Sequence, residues 1–245
     1  MTATSSRRLS LICALVLICA SSAASAFAFP PTAQLQNSFS TARFGERGLA
    51  SVEDRSSSRT FAFEDDAFSL AIDGKDIRSV DLPRPSRRAS LDRVEFDFTA
   101  QNFEIRVRYE LRPTWHFVSK QIFVQRTGES NSFRVDSVTP IAARLSQSAQ
   151  STYVPRNRSW TKRASAKDFG IFLRFADHHG LLALAQNPFL DVTSDESSFS
   201  IRYSPDMLWD PRDGAFATDR VCLAPYTLSG YTVKVEMIPE WKLPP

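Results

Sequence analysis

Val94-Glu-Phe-Asp-Phe-Thr-Ala100, then Gln101-Asn102, then Phe103-Glu-Ile-Arg-Val-Arg-Tyr-Glu-Leu111 is the stretch on which the fold turns. In its first half Val94, Phe96 and Phe98 alternate with Glu95, Asp97 and Thr99. In its second half Phe103, Ile105, Val107, Tyr109 and Leu111 alternate with Glu104, Arg106, Arg108 and Glu110. Successive side chains of a strand point to opposite faces, so a period of two buries one face and wets the other. Two such runs on either side of a two-residue turn predict an antiparallel hairpin. Phe96, Phe98, Phe103, Ile105, Val107 and Tyr109 are its expected core.

The same period continues downstream. Arg112-Pro-Thr114 interrupts it, because proline offers a sheet no N–H. Trp115 to Gln125 reads as a third strand whose alternation slips near Val118, which predicts a bulge. Thr127 to Asn131 is a turn, and Phe133 to Ile141 is expected to return as a fourth strand of one meander. Ala142 to Lys167 is polar and irregular, and is expected to be a long crossing loop with a helical turn near Trp160. Gly170 to Phe175 and Leu181 to Gln186 form another hairpin around Asp177-His-His-Gly180. Ser198 to Tyr203, Ala215 to Ala224 and Tyr231 to Ile238 are further strands. No stretch has the period of an amphipathic helix of ordinary length, and no internal repeat is present. The expectation is an all-β, antiparallel sandwich of about ten or more strands, one domain over residues 60–239. Residues 27–59, with Pro30, Pro31 and Asp54-Arg-Ser-Ser-Ser-Arg59, read as a disordered linker. Residues 240–245 read as a Pro-rich linker towards a further domain.

Residues 1–26 have the pattern of a cleavable signal peptide. Arg7 and Arg8 are followed by the apolar run Leu9 to Ala20 and then by Ala24-Ser-Ala26, an A-x-A cleavage pattern, with Ala26-Phe-Ala28 as a second choice. The apolar run is too short for the roughly 20 residues of a membrane span. Ile12 precedes Cys13 and Ile18 precedes Cys19, where a lipoprotein would have a small residue. The expected location is therefore exported: extracellular, periplasmic or within a secretory pathway.

The chain has 30 basic and 27 acidic residues, and without Arg7 and Arg8 it is close to neutral. Such a balance gives no electrostatic footprint for nucleic acid. Its basic clusters are local: Arg84, Arg87 and Arg88, and Arg156, Arg158, Lys162 and Arg163. Both are read as solvated loops. After cleavage Cys222 is the remaining cysteine, so no internal disulfide is expected and a buried thiol is. Asn157-Arg-Ser159 is an N-glycosylation sequon if the host is eukaryotic.

Chemistry-bearing motifs are few. His116, His178 and His179 are the histidines, and no H-x-H or C-x-x-C spacing is present, so no metal is expected. No P-loop or G-x-G-x-x-G motif is present, so no nucleotide cofactor is expected. Asp177, His178 and His179 are the candidate catalytic groups, against the plainer reading of a hairpin tip at which Gly180 takes positive φ. Glu64-Asp-Asp66 and Asp191 to Glu196 are read as turn-forming acids. Trp115, His116 and Trp209 are the candidate sugar-binding residues, because a flat ring matches the C–H face of a sugar. The competing reading of each is a core or loop anchor.

Tyr109-Glu-Leu-Arg-Pro-Thr-Trp-His-Phe-Val-Ser-Lys-Gln-Ile122, with Val135-Asp-Ser-Val138 beyond it, resembles the central meander of a β-supersandwich. This is the galactose-mutarotase-like fold found as the N-terminal domain of α-galactosidase-like glycoside hydrolases. Gly170-Ile-Phe-Leu-Arg-Phe-Ala-Asp177 and Gly180-Leu-Leu-Ala-Leu-Ala-Gln-Asn-Pro-Phe189 resemble its later hairpin, and the likeness runs from Phe61 to Met237. In that family the catalytic carboxylates lie on a barrel that follows the sandwich, so the resemblance carries none onto this chain. It implies an exported, carbohydrate-associated domain, a non-catalytic accessory or substrate-shaping part of a glycosidase-like protein. The alternatives are a structural or surface interaction protein without a sugar ligand, and a free-standing mutarotase- or epimerase-like enzyme.

Overall fold

The computed structural model describes residues 33–128, 131–175, 178–229 and 232–233. In chain order the strands are β1 (Ala33–Gln36), β2 (Ser40–Phe44), β3 (Leu49–Asp54), β4 (Arg59–Ile72), β5 (Lys75–Arg78), β6 (Ser86–Ala89) and β7 (Arg93–Ala100). They continue with β8 (Phe103–Glu110), β9 (Val118–Arg126), β10 (Phe133–Leu145), β11 (Ser151–Val154), β12 (Ser159–Thr161), β13 (Ala164–Asp168) and β14 (Gly170–Arg174). The series ends with β15 (His179–Ala185), β16 (Leu190–Ser194), β17 (Ser198–Tyr203), β18 (Met207–Trp209), β19 (Phe216–Ala217), β20 (Val221–Ser229) and β21 (Thr232–Val233). No α-helix occurs among the described residues; helical geometry is limited to short turns such as Ser79–Asp81 and Pro155–Asn157.

The strands form two antiparallel sheets. The first has ten strands along the path β1-β2-β3-β4-β10-β17-β16-β13, with β5 and β18 added. The second has eleven along β12-β11-β14-β15-β20-β9-β8-β7-β6, with β19 and β21 added. Aromatic side chains from the two sheets meet between them. Phe44 packs on Tyr109 at 5.0 Å between ring centroids, Phe68 on Phe98 at 5.3 Å and Phe103 on Phe133 at 5.3 Å. Such tilted and edge-on pairs are the favoured aromatic geometries. The all-β sandwich is as expected, and the hairpin β7–β8 matches its sequence reading residue for residue. Ala100 pairs with Phe103 around a turn in which Gln101 has φ 49°, and all six expected core residues are buried.

Several elements differ from expectation. Residues 33–54 of the expected linker form β1, β2 and β3, with Leu35, Phe44, Leu49 and Val52 buried. Strands of four to six residues with buried serine and threonine among them are too short to show a period. The stretch 142–167 carries the end of β10 and three further strands, and Trp160 lies in β12 rather than in a helical turn. β10 does not extend the meander. It crosses to the first sheet, between β4 and β17, and β9 takes β20 as its other neighbour. A period of two says which residues face inward but not which sheet they face inward from.

The expected bulge near Val118 is absent: β9 pairs with both neighbours in unbroken register. What breaks the apolar pattern is a charge in an inward position. Val118, Lys120, Ile122 and Val124 all point into the core, and Lys120 has no exposed surface. It meets Asp66 of β4, which is therefore a buried partner and not the turn-forming acid the sequence suggested.

Candidate functional site

The outer face of β7 and β8 is built from facing pairs of opposite charge. Asp97 stands opposite Arg106, Glu95 opposite Arg108 and Arg93 opposite Glu110 in the register of the hairpin. Directly opposed charges stabilise a sheet by a few tenths of a kcal/mol each, up to about 1 kcal/mol. Here they make two linked groups, one around Glu95 and Asp97 and one around Glu110. Arg106 Nε donates to Asp97 Oδ1 at 2.8 Å, and Arg108 Nε donates to Glu95 Oε1 at 2.8 Å. Arg88 of β6 reaches Asp97 at 2.8 Å and Glu95 at 3.5 Å. The buried Glu110 lies 3.4 Å from both Arg93 and Arg220.

Beside the first of these groups lies an open groove of about 450 Å³, lined among others by Arg84, Arg88, Asp97, Glu104, Arg106 and Phe123. Phe123 faces outward on β9, and the Arg108 guanidinium lies 4.5 Å from its ring centroid. The groove thus combines planar guanidinium and carboxylate groups, which hydrogen-bond vicinal hydroxyls, with one aromatic ring for an apolar C–H face. The oxygens of Asp97 are already taken by Arg88 and Arg106. Sequence reading missed the groove because its residues are the polar half of the same alternation that marks the core. Only the neighbouring strands show that these residues line one hollow.

The sequence-derived candidates lie elsewhere and are not gathered into one place. Trp115 is 1% exposed, stacked on Phe117 at 4.5 Å and flanked by Arg112 and Arg220. No sugar face can reach it. His116 stacks on Phe39, ring centroids 3.6 Å apart. Trp209 is half-buried, packs edge-on against Phe216 and donates from Nε1 to the Gly214 carbonyl, so it anchors its loop. Trp115 lies just before the start of β9, whereas the Phe216 under Trp209 pairs with Val124 near its end, about 20 Å along the strand.

Asp177 lies outside the described residues. His178 takes positive φ (61°), the role expected of Gly180. Gly180 instead sits in β15 opposite Tyr226, where an added Cβ would lie 2.0 Å from the phenol ring. His179 opens β15, two strands from β9 across β20, so neither histidine lines the groove. Asp191 pairs with exposed Lys167. The Asp195 carboxyl is held below the usual range by hydrogen bonds from the Ser197 backbone and from Ser198, the opposite of what a general acid needs. Among the described residues no cluster of His, Cys, Asp or Glu could hold a metal ion, and no helix is long and apolar enough to cross a membrane.

Cys222 is buried in β20, and burial pushes its thiol up to about 12, with Arg220 opposing. A proton held more tightly in the folded chain means that this contribution to stability is present below pH 9 and is lost as the pH rises from 9 towards 12. At pH 8 iodoacetamide is expected to modify Cys222 at least about a hundredfold more slowly in the folded protein than in urea, since the thiolate is the nucleophile. Peptide mass mapping reads this directly, and equal rates would contradict the burial.

No protein-family model matches the chain, and no curated protein is similar to it. Solved structures do share its fold. A galactose mutarotase related enzyme from Lactobacillus acidophilus superposes with a TM-score of 0.50 at 10% identity, covering 82% of this chain and 98% of that one. An alpha-N-acetylgalactosaminidase from Bifidobacterium bifidum gives 0.55 at 14% identity over 81% of this chain, but over only 36% of its own length. A TPR-domain containing protein from Parabacteroides distasonis gives 0.52 at 9% identity, covering 87% and 50%. The chain therefore has the galactose-mutarotase-like β-supersandwich fold.

Proposed function

We propose that this chain is an exported, carbohydrate-associated sandwich domain, a non-catalytic accessory or substrate-shaping part of a glycosidase-like protein, and that it holds its sugar in the groove on β6 to β9. The single observation that carries the reading is the pairing of Phe123 with the Arg88–Asp97–Arg106 lattice on one open surface. Hydroxyl-binding groups held rigid by one another recognise a sugar at little entropic cost, and the aromatic ring supplies the apolar contact. The leader-like residues 1–26 support export. With its oxygens taken up by guanidinium donors, Asp97 is suited to shaping a binding surface rather than to proton transfer.

A glycan array followed by isothermal titration tests this. The protein is expected to retain a galactoside or glucan, and Phe123→Ala to weaken it about tenfold, roughly 1.4 kcal/mol. Aryl galactosides and glucosides are expected not to turn over. No retention of any glycan, or equal retention by the variant, would overturn the reading.

A second reading, a free-standing mutarotase-like enzyme, is supported by the 98% coverage of the Lactobacillus enzyme. It would appear as accelerated mutarotation of galactose in a polarimeter, abolished by replacing His178 or His179.

A further inference from the structure

Lys120 and Asp66 join the two sheets through the driest part of the core. Their side chains are 0% and 1% exposed, and Lys120 Nζ stands 2.5 Å from Asp66 Oδ1. The other carboxylate oxygen, Oδ2, accepts from the Tyr109 hydroxyl at 2.5 Å and from the Leu49 backbone N–H at 3.0 Å. Nζ also donates to the Ala67 carbonyl at 3.3 Å. Gly48 closes the pocket, and a Cβ there would press on Oδ2 and on the tyrosine oxygen, both at 3.1 Å. One oxygen thus faces the amine while the other sits in a fork of two donors, as an acyl group does in an oxyanion hole.

We propose that this is a site of self-modification, at which Lys120 and Asp66 condense within the folded chain to an isopeptide bond and release water. The reacting forms are the neutral amine and acid, which one proton transfer along the 2.5 Å contact supplies. Nζ then attacks Cγ, and the negative charge of the tetrahedral intermediate develops on Oδ2, under Tyr109 and the Leu49 N–H. The Cγ–Oδ1 bond breaks, and Oδ1 leaves as water with two of the three ammonium hydrogens. The third stays on the new amide, facing the Ala67 carbonyl. Atoms and charge balance with no other reactant. Fixed proximity supplies the driving rate, worth an effective molarity on the order of 10⁵ M or more.

The test is mass spectrometry of the purified full chain, held folded at its growth temperature and then digested. The expected result is one branched peptide carrying both Lys120 and Asp66, lighter than its parts by one water. In Asp66→Asn the same bond is expected to form with loss of ammonia instead. In Tyr109→Phe, which keeps the ring, bond formation is expected to slow on the order of a hundredfold. Recovery of the two residues on separate, unmodified peptides from folded wild-type protein would overturn the proposal whatever the variants do. An unchanged rate in folded Tyr109→Phe would overturn the role given to Oδ2 and its donors.

Discussion

Lys120→Met is expected to destabilise the protein by about 3–5 kcal/mol, because it leaves the Asp66 carboxylate in the core without its cation. Methionine fills nearly the same volume, so the loss is not one of packing. Tyr109 and the Leu49 N–H still hold Oδ2, but nothing remains at Oδ1 to offset desolvation. Removing the second charge as well separates the causes. In Lys120→Met/Asp66→Leu the part of the loss due to the unpaired charge should return, since an apolar replacement of a buried ion pair is often neutral, while the part due to the missing covalent bond should not. Urea midpoints of wild type, single and double variants measure this. A double variant as stable as wild type would count against a covalent link between the sheets.

Trp115→Ala is expected to cost about 3–5 kcal/mol, the range for removing a large buried aromatic side chain. The ring fills the space between Phe117, Arg112 and Arg220, and the remaining side chains cannot collapse into so large a void. Sugar retention by the protein that remains folded should be unchanged. Trp209→Ala, at a half-exposed loop anchor, should cost less and also leave retention unchanged. Thermal unfolding and a glycan column run on the same preparations separate the two effects. Loss of retention without loss of stability at either position would move the binding surface away from Phe123.

The inward residues of β7 and β8 could be read directly, because a strand with one wet face writes its geometry into alternate positions. β1 to β3 could not, since four to six residues with Ser40, Thr41 and Ser51 buried do not alternate. Asp66 and Lys120 are 54 positions apart, and nothing local marks either as a partner of the other. Asp66 is indistinguishable in sequence from its neighbour Asp65, and Lys120 looks like a slip in an apolar run. The groove failed to show for a related reason. Asp97, Arg106 and Phe123 are ordinary outward residues of three strands, and their convergence is a property of the sheet. Trp115 was conspicuous by residue type, and type alone does not place a ring inside or outside.

An open sandwich leaves four sheet margins with unpaired backbone groups, and each is a template onto which another chain could add a strand. Among the described residues the two strand paths end at β1 and β13 in one sheet and at β12 and β6 in the other. β6 carries Arg87 and Arg88 and follows Pro83 and Pro85; β12 is bracketed by Arg158 and Lys162, and β13 contains Lys167 behind Arg163. The two positive clusters that look like solvated loops in the sequence are thus guards along three of the four borders. Like charges repel a second copy there, and proline withholds the N–H it would need. The remaining border, β1, follows Pro30 and Pro31 but carries no basic residue, with Gln34 and Gln36 on its exposed side. Among the described borders, an added strand would meet the least charge at β1.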